Sequence, residues 1–349
     1  MKNMRSKIKC VVWDLDNTLW EGILSEDSNV HLRQNVFDII TEFDNRGILQ
    51  SICSKNDYDQ SMDKLKELKI DHFFVYPQIS WNPKSDGIKN IRELINIGID
   101  TFAFIDDQEF EREEVNYKLP EVMCIDATQI NDILLNEYFN PTHLTNDSKN
   151  RRLLYQNDIV RNNIKEEFKG TEEDFLRMLD MKFTVSKVKQ DDLARAEELT
   201  IRTHQLNATG VTYSYDELDR YSKDDNYLVL IARLEDKYGD YGAIGLALVE
   251  KEETKWTLKL LLMSCRVMSR GVGSVLLNYV ANKAKEAGVD LYAEFIPTDR
   301  NRVMFITYKF SGFRKEYEKD GIDVLKLNMD KISEIVDYIK LYEGDLKNV

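Results

Sequence analysis

The chain has 349 residues, 42% hydrophobic and 32% charged, with five prolines and no low-complexity tract, a composition that predicts folded structure and room for two cores. Its 62 acidic against 48 basic side chains give a formal charge of −14, which argues against a general nucleic-acid binder. No window approaches the ~20 apolar residues of a membrane span, no apolar stretch has signal-peptide length, and Cys10, Cys53, Cys124 and Cys265 form no CxxC pair; the expectation is a cytoplasmic chain without membrane segment, zinc site or disulfide framework.

From residue 8 to about 126, short apolar runs alternate with amphipathic stretches, the pattern of βαβ units around a parallel sheet. The spacing predicts strands over 8–15, 49–53, 73–75, 101–105 and 122–125, and helices over 35–45, 58–68 and 85–97. In open α/β sheets functional groups collect beyond the carboxyl ends of the strands. There the first strand carries Asp14-Leu15-Asp16-Asn17-Thr18, the second Ser54-Lys55-Asn56, and the fourth Asp106-Asp107; Lys84, in SWNPKSDG, precedes the helix after the third strand. Singly, Ser54 or Asp107 could cap a helix and Lys84 could be a solvated lysine. Together they form a chemical set, and carboxylates gathered beside a hydrophobic strand are costly unless a metal, a hydrogen-bond network or a reaction uses them.

From Asn140 the strand pattern stops: Pro141 and a Thr-Asn-Asp-Ser cluster mark a break, and 149–168 reads as a polar, solvated linker helix. Beyond Asp180 the text changes to FTVSKVK, a helix around 191–200, then YLVLIARLED, YGAIGLALVEKE and KWTLKLLLMSCRVM, antiparallel neighbours joined by short charged turns. Ser269-Arg270-Gly271-Val272-Gly273, a helix to about 286, LYAEFI, Asn301 and FITYKFSGF follow. A glycine-rich turn entering a helix offers backbone N–H groups and a positive helix end to a phosphate. The expected domains are 1–140, a linker over 141–180, and 181–349.

The Asp-x-Asp, Ser, Lys, Asp-Asp set resembles the haloacid dehalogenase superfamily of phosphatases and phosphotransferases. The resemblance implies that Asp14 is the nucleophile that becomes an aspartyl-phosphate and Asp16 the general acid and base. Strand alternation puts such an i, i+2 pair on one side, and a carboxylate nucleophile splits phosphoryl transfer into two easier displacements. By the same resemblance Asp14, the Asp16 carbonyl and Asp106 ligate Mg²⁺ with Asp107 in support, Ser54 donates to a phosphate oxygen, Lys84 neutralises charge, and Thr18 and Asn56 face phosphate or substrate. The intervals from Asp14 to Ser54 and from Ser54 to Lys84 are too short for a cap domain, so the site should be open.

DLDNTLWEGIL, ICSKND, WNPKSDGI and FIDDQEFEREEV look like the FkbH family, in subfamily IIIC of that superfamily. The second half, with RGVG between strand and helix, then Asn301 and Tyr308, resembles a GNAT acyltransferase domain. The implied architecture is α/β, a capless HAD-like Rossmannoid parallel-sheet domain followed by a GNAT-like α/β domain. The implied reaction takes 1,3-bisphosphoglycerate, removes phosphate and loads glyceryl onto the phosphopantetheine thiol of an acyl carrier protein; a Mg²⁺ phosphatase of another phosphoester with an acetyltransferase domain is the alternative. Arg270, Gly271 and Gly273 would hold the phosphate of a pantetheine-bearing cofactor, coenzyme A included. GNAT loops usually have Gln or Arg where this chain has Met268, a departure that suits a carrier-borne arm with a single phosphate. Arg151, Arg152 and Arg161 could meet an acidic carrier. His204 could serve as a general base or as a structural hydrogen-bonder. Cys265, beside Arg266, is preferred over Cys53 for any thioester, with a buried structural thiol the alternative for each.

Overall fold

The computed structural model describes residues 6–141, 144–332 and 334–344. Contacts divide the chain between Gln156 and Asn157 into two compact units.

In the first unit, β1 (Cys10–Trp13), β4 (Leu49–Ser54), β5 (Gln78–Ile79), β6 (Phe102–Asp106) and β7 (Met123–Asp126) form a parallel sheet in the order β5-β4-β1-β6-β7, while β2 (Trp20–Glu21) and β3 (His31–Leu32) make a small hairpin. Every residue of β1, β4 and β6 is buried, as strands covered on both faces must be. Helices α1 (Val36–Asn45), α2 (Tyr58–Glu67) and α3 (Lys84–Ile95) fall where periodicity predicts them; α1 buries Val36, Ile39, Ile40 and Phe43, one stripe at helical spacing. Helix α4 (Glu109–Lys118) is unpredicted, because EFEREEVNYK buries only Glu111 and Val115 and so lacks such a stripe.

The strand expected over 73–75 shrinks to an isolated bridge between Gln50 and Phe74, and the sheet gains Gln78–Ile79 instead. Tyr76 takes a left-handed φ of 52°, and Pro77 has no N–H to give a ladder, so pairing cannot run through them. Lys84, expected ahead of its helix, is the first residue of α3, following Pro83.

The second unit contains an eight-stranded sheet in the order β13-β14-β12-β11-β10-β9-β8-β15, built from β8 (Met181–Lys187), β9 (Tyr227–Asp236), β10 (Gly239–Lys251), β11 (Lys255–Met263), β12 (Asp290–Phe295), β13 (Phe313–Lys319), β14 (Ile322–Leu327) and β15 (Ile339–Glu343). The antiparallel pairing of β9 with β10 and of β10 with β11 agrees with the short charged turns. Strands β11 and β12 pair in parallel only from Lys255–Asp290 to Leu258–Ala293, then part. The segment 206–208 runs between them: Ala208 N–H donates to Leu261 O at 3.0 Å, Met263 N–H to Leu206 O at 2.9 Å, and Ile296 N–H to Ala208 O at 3.1 Å. Asn301, fully buried, directs its amide N–H groups at the carbonyls of Asn207, Ala208 and Ile296, which pins the segment. The fold class is the expected one, a capless HAD-like parallel-sheet unit followed by a GNAT-like α/β unit.

The stretch expected as a solvated linker is folded against the units, as α5 (Asn146–Lys149), α6 (Arg151–Glu167) and α7 (Glu172–Met178). Its arginines are engaged. Arg151 donates to Gly47 O at 2.5 Å, Arg152 forks onto Asp44 at 3.0 and 3.1 Å, and Arg161 has no exposed surface. Arg151 and Arg161 therefore present nothing to an acidic partner, and Arg152 is already paired. No helix of the described residues is long and apolar enough to cross a membrane.

Candidate phosphoryl-transfer site and acyl cleft

The sheet order makes β4, β1 and β6 neighbours, so their carboxyl ends deliver Ser54, Asp14 and Asp106 to one place. Asp14 follows β1 directly, and its N–H still bonds Ile105 O at 2.9 Å, which fixes the start of its side chain. Lys84 enters from the first turn of α3: its Nζ donates to Asp14 Oδ1 at 2.7 Å and to Asp106 Oδ2, with all three side chains buried. Ser54 hydrogen-bonds Asp14 as well.

Burial pushes the Asp14 carboxyl up, opposed by Lys84 and Ser54. The Asp106 carboxyl is pushed up to about 6, first by burial and then by the charge of Asp14. Burial works to lower Lys84, but the two carboxylates outweigh it and hold the ammonium above the usual lysine range. One cation thus serves two buried carboxylates.

Carboxylate oxygens of Asp14, Asp106 and Asp107 lie within 4.8 Å of one another. Hard oxygen donors alone, in negative excess over Lys84, fit Mg²⁺, which would offset that excess and polarise a phosphoryl oxygen. Metal binding needs Asp106 ionised, so Mg²⁺ affinity should fall by about tenfold per pH unit below about 6 and be flat above 7. Without metal, the folded state binds more protons than the unfolded between roughly pH 4 and 6, so this group's contribution to stability falls as pH rises through that window. Melting curves should therefore show a Mg²⁺-induced rise in Tm at pH 7.5 that shrinks at pH 5; a rise equal at both would contradict the assignment.

Two residues expected to face phosphate or substrate, Thr18 and Asn56, make other bonds. Thr18 is fully buried, and its hydroxyl accepts from Asp107 N–H at 3.0 Å, so it orients Asp107 rather than meeting a phosphate. Asn56 is buried and donates from Nδ2 to Asp16 Oδ2 at 2.8 Å, so it holds Asp16. Asp16 sends its carboxylate toward the hairpin, where Oδ1 accepts from Trp20 Nε1 at 2.8 Å and Leu24 N–H at 3.0 Å. No side-chain oxygen of Asp16 joins the metal-capable group among the described residues.

Other supports have no signal in the linear text. Trp20 is one; Arg112 is another, reaching from α4 to Asp106 O at 2.8 Å and pairing with Asp126 at 2.6 Å. Cys53 alternates with Ser54 on β4 and turns away: its Sγ donates to Lys84 O, and burial pushes its thiol up to about 12, so it is inert as a nucleophile.

In the second unit a cleft of ≈ 290 Å³ lies beside the glycine turn, lined by Leu206, Met263, Met268, Gly271 and Gly273 on one side and by Val303, Ile306 and Phe310 on the other. None of the described residues lining it is basic. Arg270 is buried, its guanidinium 5.7 Å from the Phe175 ring, and its Nε and Nη1 have no hydrogen-bond partner among the described residues. Gly271 has a left-handed φ of 74° and caps the helix α10 (Val272–Glu286), but a Cβ built there would lie 2.8 Å from the Tyr338 hydroxyl, and Glu172, Glu173 and Asp337 line the adjoining hollow. His204 is exposed in the bend after helix α8 (Leu193–Arg202), and Cys265 is half-buried at the head of the turn Cys265–Arg270; neither lines the cleft. Arg266, expected to favour a Cys265 thiolate, directs Nη2 at Tyr241 O at 2.6 Å.

No protein-family model and no curated protein matches the chain. Among solved structures, the N-terminal part of a Bacteroides fragilis protein containing a phosphatase domain complexed with Mg is 29% identical over 37% of this chain, at a TM-score of 0.31. The match spans 40% of that crystallised chain. The ribosomal-protein-S18-alanine N-acetyltransferase of Escherichia coli is 18% identical over 44% of this chain and 97% of its own, at a TM-score of 0.34. The PaiA N-acetyltransferase of Thermoplasma acidophilum, solved with coenzyme A, is 17% identical over 42% and 98%, at 0.32. Likenesses at these scores add nothing to what strand order already states about the two folds.

Proposed function

We propose that the chain is a Mg²⁺-dependent phosphatase joined to an acyl-transfer unit, which takes 1,3-bisphosphoglycerate, removes phosphate and loads glyceryl onto the phosphopantetheine thiol of an acyl carrier protein. The observation that carries the phosphatase part is Lys84 held between Asp14 and Asp106 at the ends of adjacent parallel strands. Two buried carboxylates on one lysine, with a third nearby, exceed what an ion pair needs, which supports a metal-assisted site with Asp14 as its nucleophile.

Asp14 attacks phosphorus, the bond from phosphorus to the ester oxygen breaks, and Asp16 protonates the departing oxygen. Trp20 and Leu24 occupy Asp16 Oδ1, which leaves Oδ2, shared with Asn56, as the atom that carries the proton. Water activated by Asp16 then cleaves the aspartyl-phosphate, while Ser54 and Lys84 stabilise the phosphoryl oxygens. In the acyl step the carrier thiol attacks the acyl carbon, the bond to the acyl phosphate oxygen breaks, and the thiol proton is released. The apolar, non-basic cleft favours an uncharged pantetheine arm over the pyrophosphate of coenzyme A. The roles proposed for Cys265 and His204 would require them to approach that cleft.

Purified protein with Mg²⁺, 1,3-bisphosphoglycerate and holo-carrier protein should give a glyceryl-thioester on the carrier, read by intact mass. No mass shift across several carriers, with robust turnover of acetyl-coenzyme A instead, would replace this reading with the acetyltransferase one.

A further inference from the structure

A second cleft, of ≈ 410 Å³, opens beside Asp107 in the first unit and is lined by Asn17, Glu21, Arg33, Asp126 and Thr128. Its acidic lining is engaged in part. Asp126 pairs with Arg112 at 2.6 Å and accepts from the Thr128 N–H and hydroxyl at 2.8 and 2.7 Å, and Asp107 is held by Thr18 and belongs to the metal-capable group. Glu21 is exposed on the hairpin.

Arg33 stands apart. It follows β3, and its Nη1 donates to the carbonyl of Asn17, at 2.8 Å, on the loop that leaves Asp16; Asn17 itself takes a left-handed φ of 52°. That bond fixes the guanidinium at the wall of the cleft while using one of its donors. Among the described residues Arg33 has no carboxylate within ion-pair distance, although Glu21 and Asp126 line the same cleft and its charge, after the Thr128 hydrogen bonds and Arg112, helps hold the Asp126 carboxyl below the usual range. A half-buried guanidinium whose Nε and Nη2 make no hydrogen bond among the described residues is a planar fork matched to a carboxylate or phosphate. The net arrangement is a metal-capable carboxylate group with a guanidinium beside it that makes no close ion pair.

We propose that Arg33 binds a second anionic group, carboxylate or phosphate, of the phosphate monoester whose phosphoryl group meets Asp14. This rests on the phosphatase reading and makes that site selective for small substrates with two anionic ends. Arg33 acts by contact with substrate, and its bond to Asn17 is the alternative, purely structural use.

The test compares full-length wild type, Arg33→Gln and Arg33→Lys with Mg²⁺ on a matched series: 3-phosphoglycerate, propane-1,3-diol bisphosphate and glycerol 3-phosphate, whose far ends are a carboxylate, a phosphate and a neutral hydroxyl. Arg33→Gln should raise KM for the anionic-ended esters by about 10- to 100-fold, with kcat nearly unchanged and glycerol 3-phosphate unaffected, and Arg33→Lys should recover part of the loss. Which of the two anionic esters responds more tells carboxylate from phosphate. Equal losses on all three esters, or none on any, would overturn the proposal. Calorimetric binding of 3-phosphoglycerate to the Asp14→Asn protein separates the two readings: binding indifferent to Arg33→Gln defeats this inference alone, and neither binding nor hydrolysis of any ester by wild type defeats the phosphatase reading with it.

Discussion

Asp14→Asn should abolish Mg²⁺-dependent phosphate release, by a factor on the order of 10⁴ or more, while leaving the protein folded. The side chains have nearly equal volume, but a neutral amide is a poor nucleophile for phosphorus and takes no part in an aspartyl-phosphate. Stability should change little, since Lys84 keeps its bond to Asp106 and the site loses a carboxylate whose burial was costly. Phosphate release and thermal melting, read on the same preparation, check both halves. Activity retained within tenfold would remove Asp14 from the reaction, whatever the melting curve shows.

Arg161→Met should destabilise the second unit by about 3–5 kcal/mol. The guanidinium forks onto Asp236 at 2.8 and 3.0 Å, reaches Asp158 at 2.9 Å and Gly239 O at 2.8 Å, and lies 3.7 Å over the Tyr241 ring. Removing it leaves Asp236, whose side chain is fully buried, without a counter-charge. Arg161→Lys should recover only part of the loss, because an ammonium cannot reproduce the fork and the stacking at once. Urea unfolding of the second unit checks this; a loss under about 1 kcal/mol for the methionine variant would show that the cluster relaxes around the change.

How legible each residue was depends on whether a regular element places it. Asp14, Ser54 and Asp106 each end a buried strand, and strand ends in a parallel sheet converge, so their meeting follows from hydrophobic runs alone. Lys84 follows the same logic through the turn that opens α3. By contrast, Trp20 and Arg112 reach Asp16 and the Asp106 carbonyl, and Arg33 the Asn17 carbonyl, through loop and hairpin geometry that leaves no periodic signal, and a hairpin with two-residue strands is too short to show alternation. The polar helix around Arg161 read as solvated because its partners lie on β9 and β10, far along the chain. The surroundings of Arg270 were hidden for a related reason: glycine spacing locates a turn, but the ring its guanidinium lies beside, Phe175, is on a separate helix.

The central claim is that Asp14 is phosphorylated during turnover, and trapping the intermediate tests it most directly. The protein is mixed with Mg²⁺ and substrate, quenched with borohydride, which reduces an acyl phosphate to an alcohol, and mapped by peptide mass. The account predicts homoserine at position 14, dependent on Mg²⁺ and absent when substrate is omitted. Turnover with an unmodified Asp14, or reduction at a different carboxylate, would contradict it.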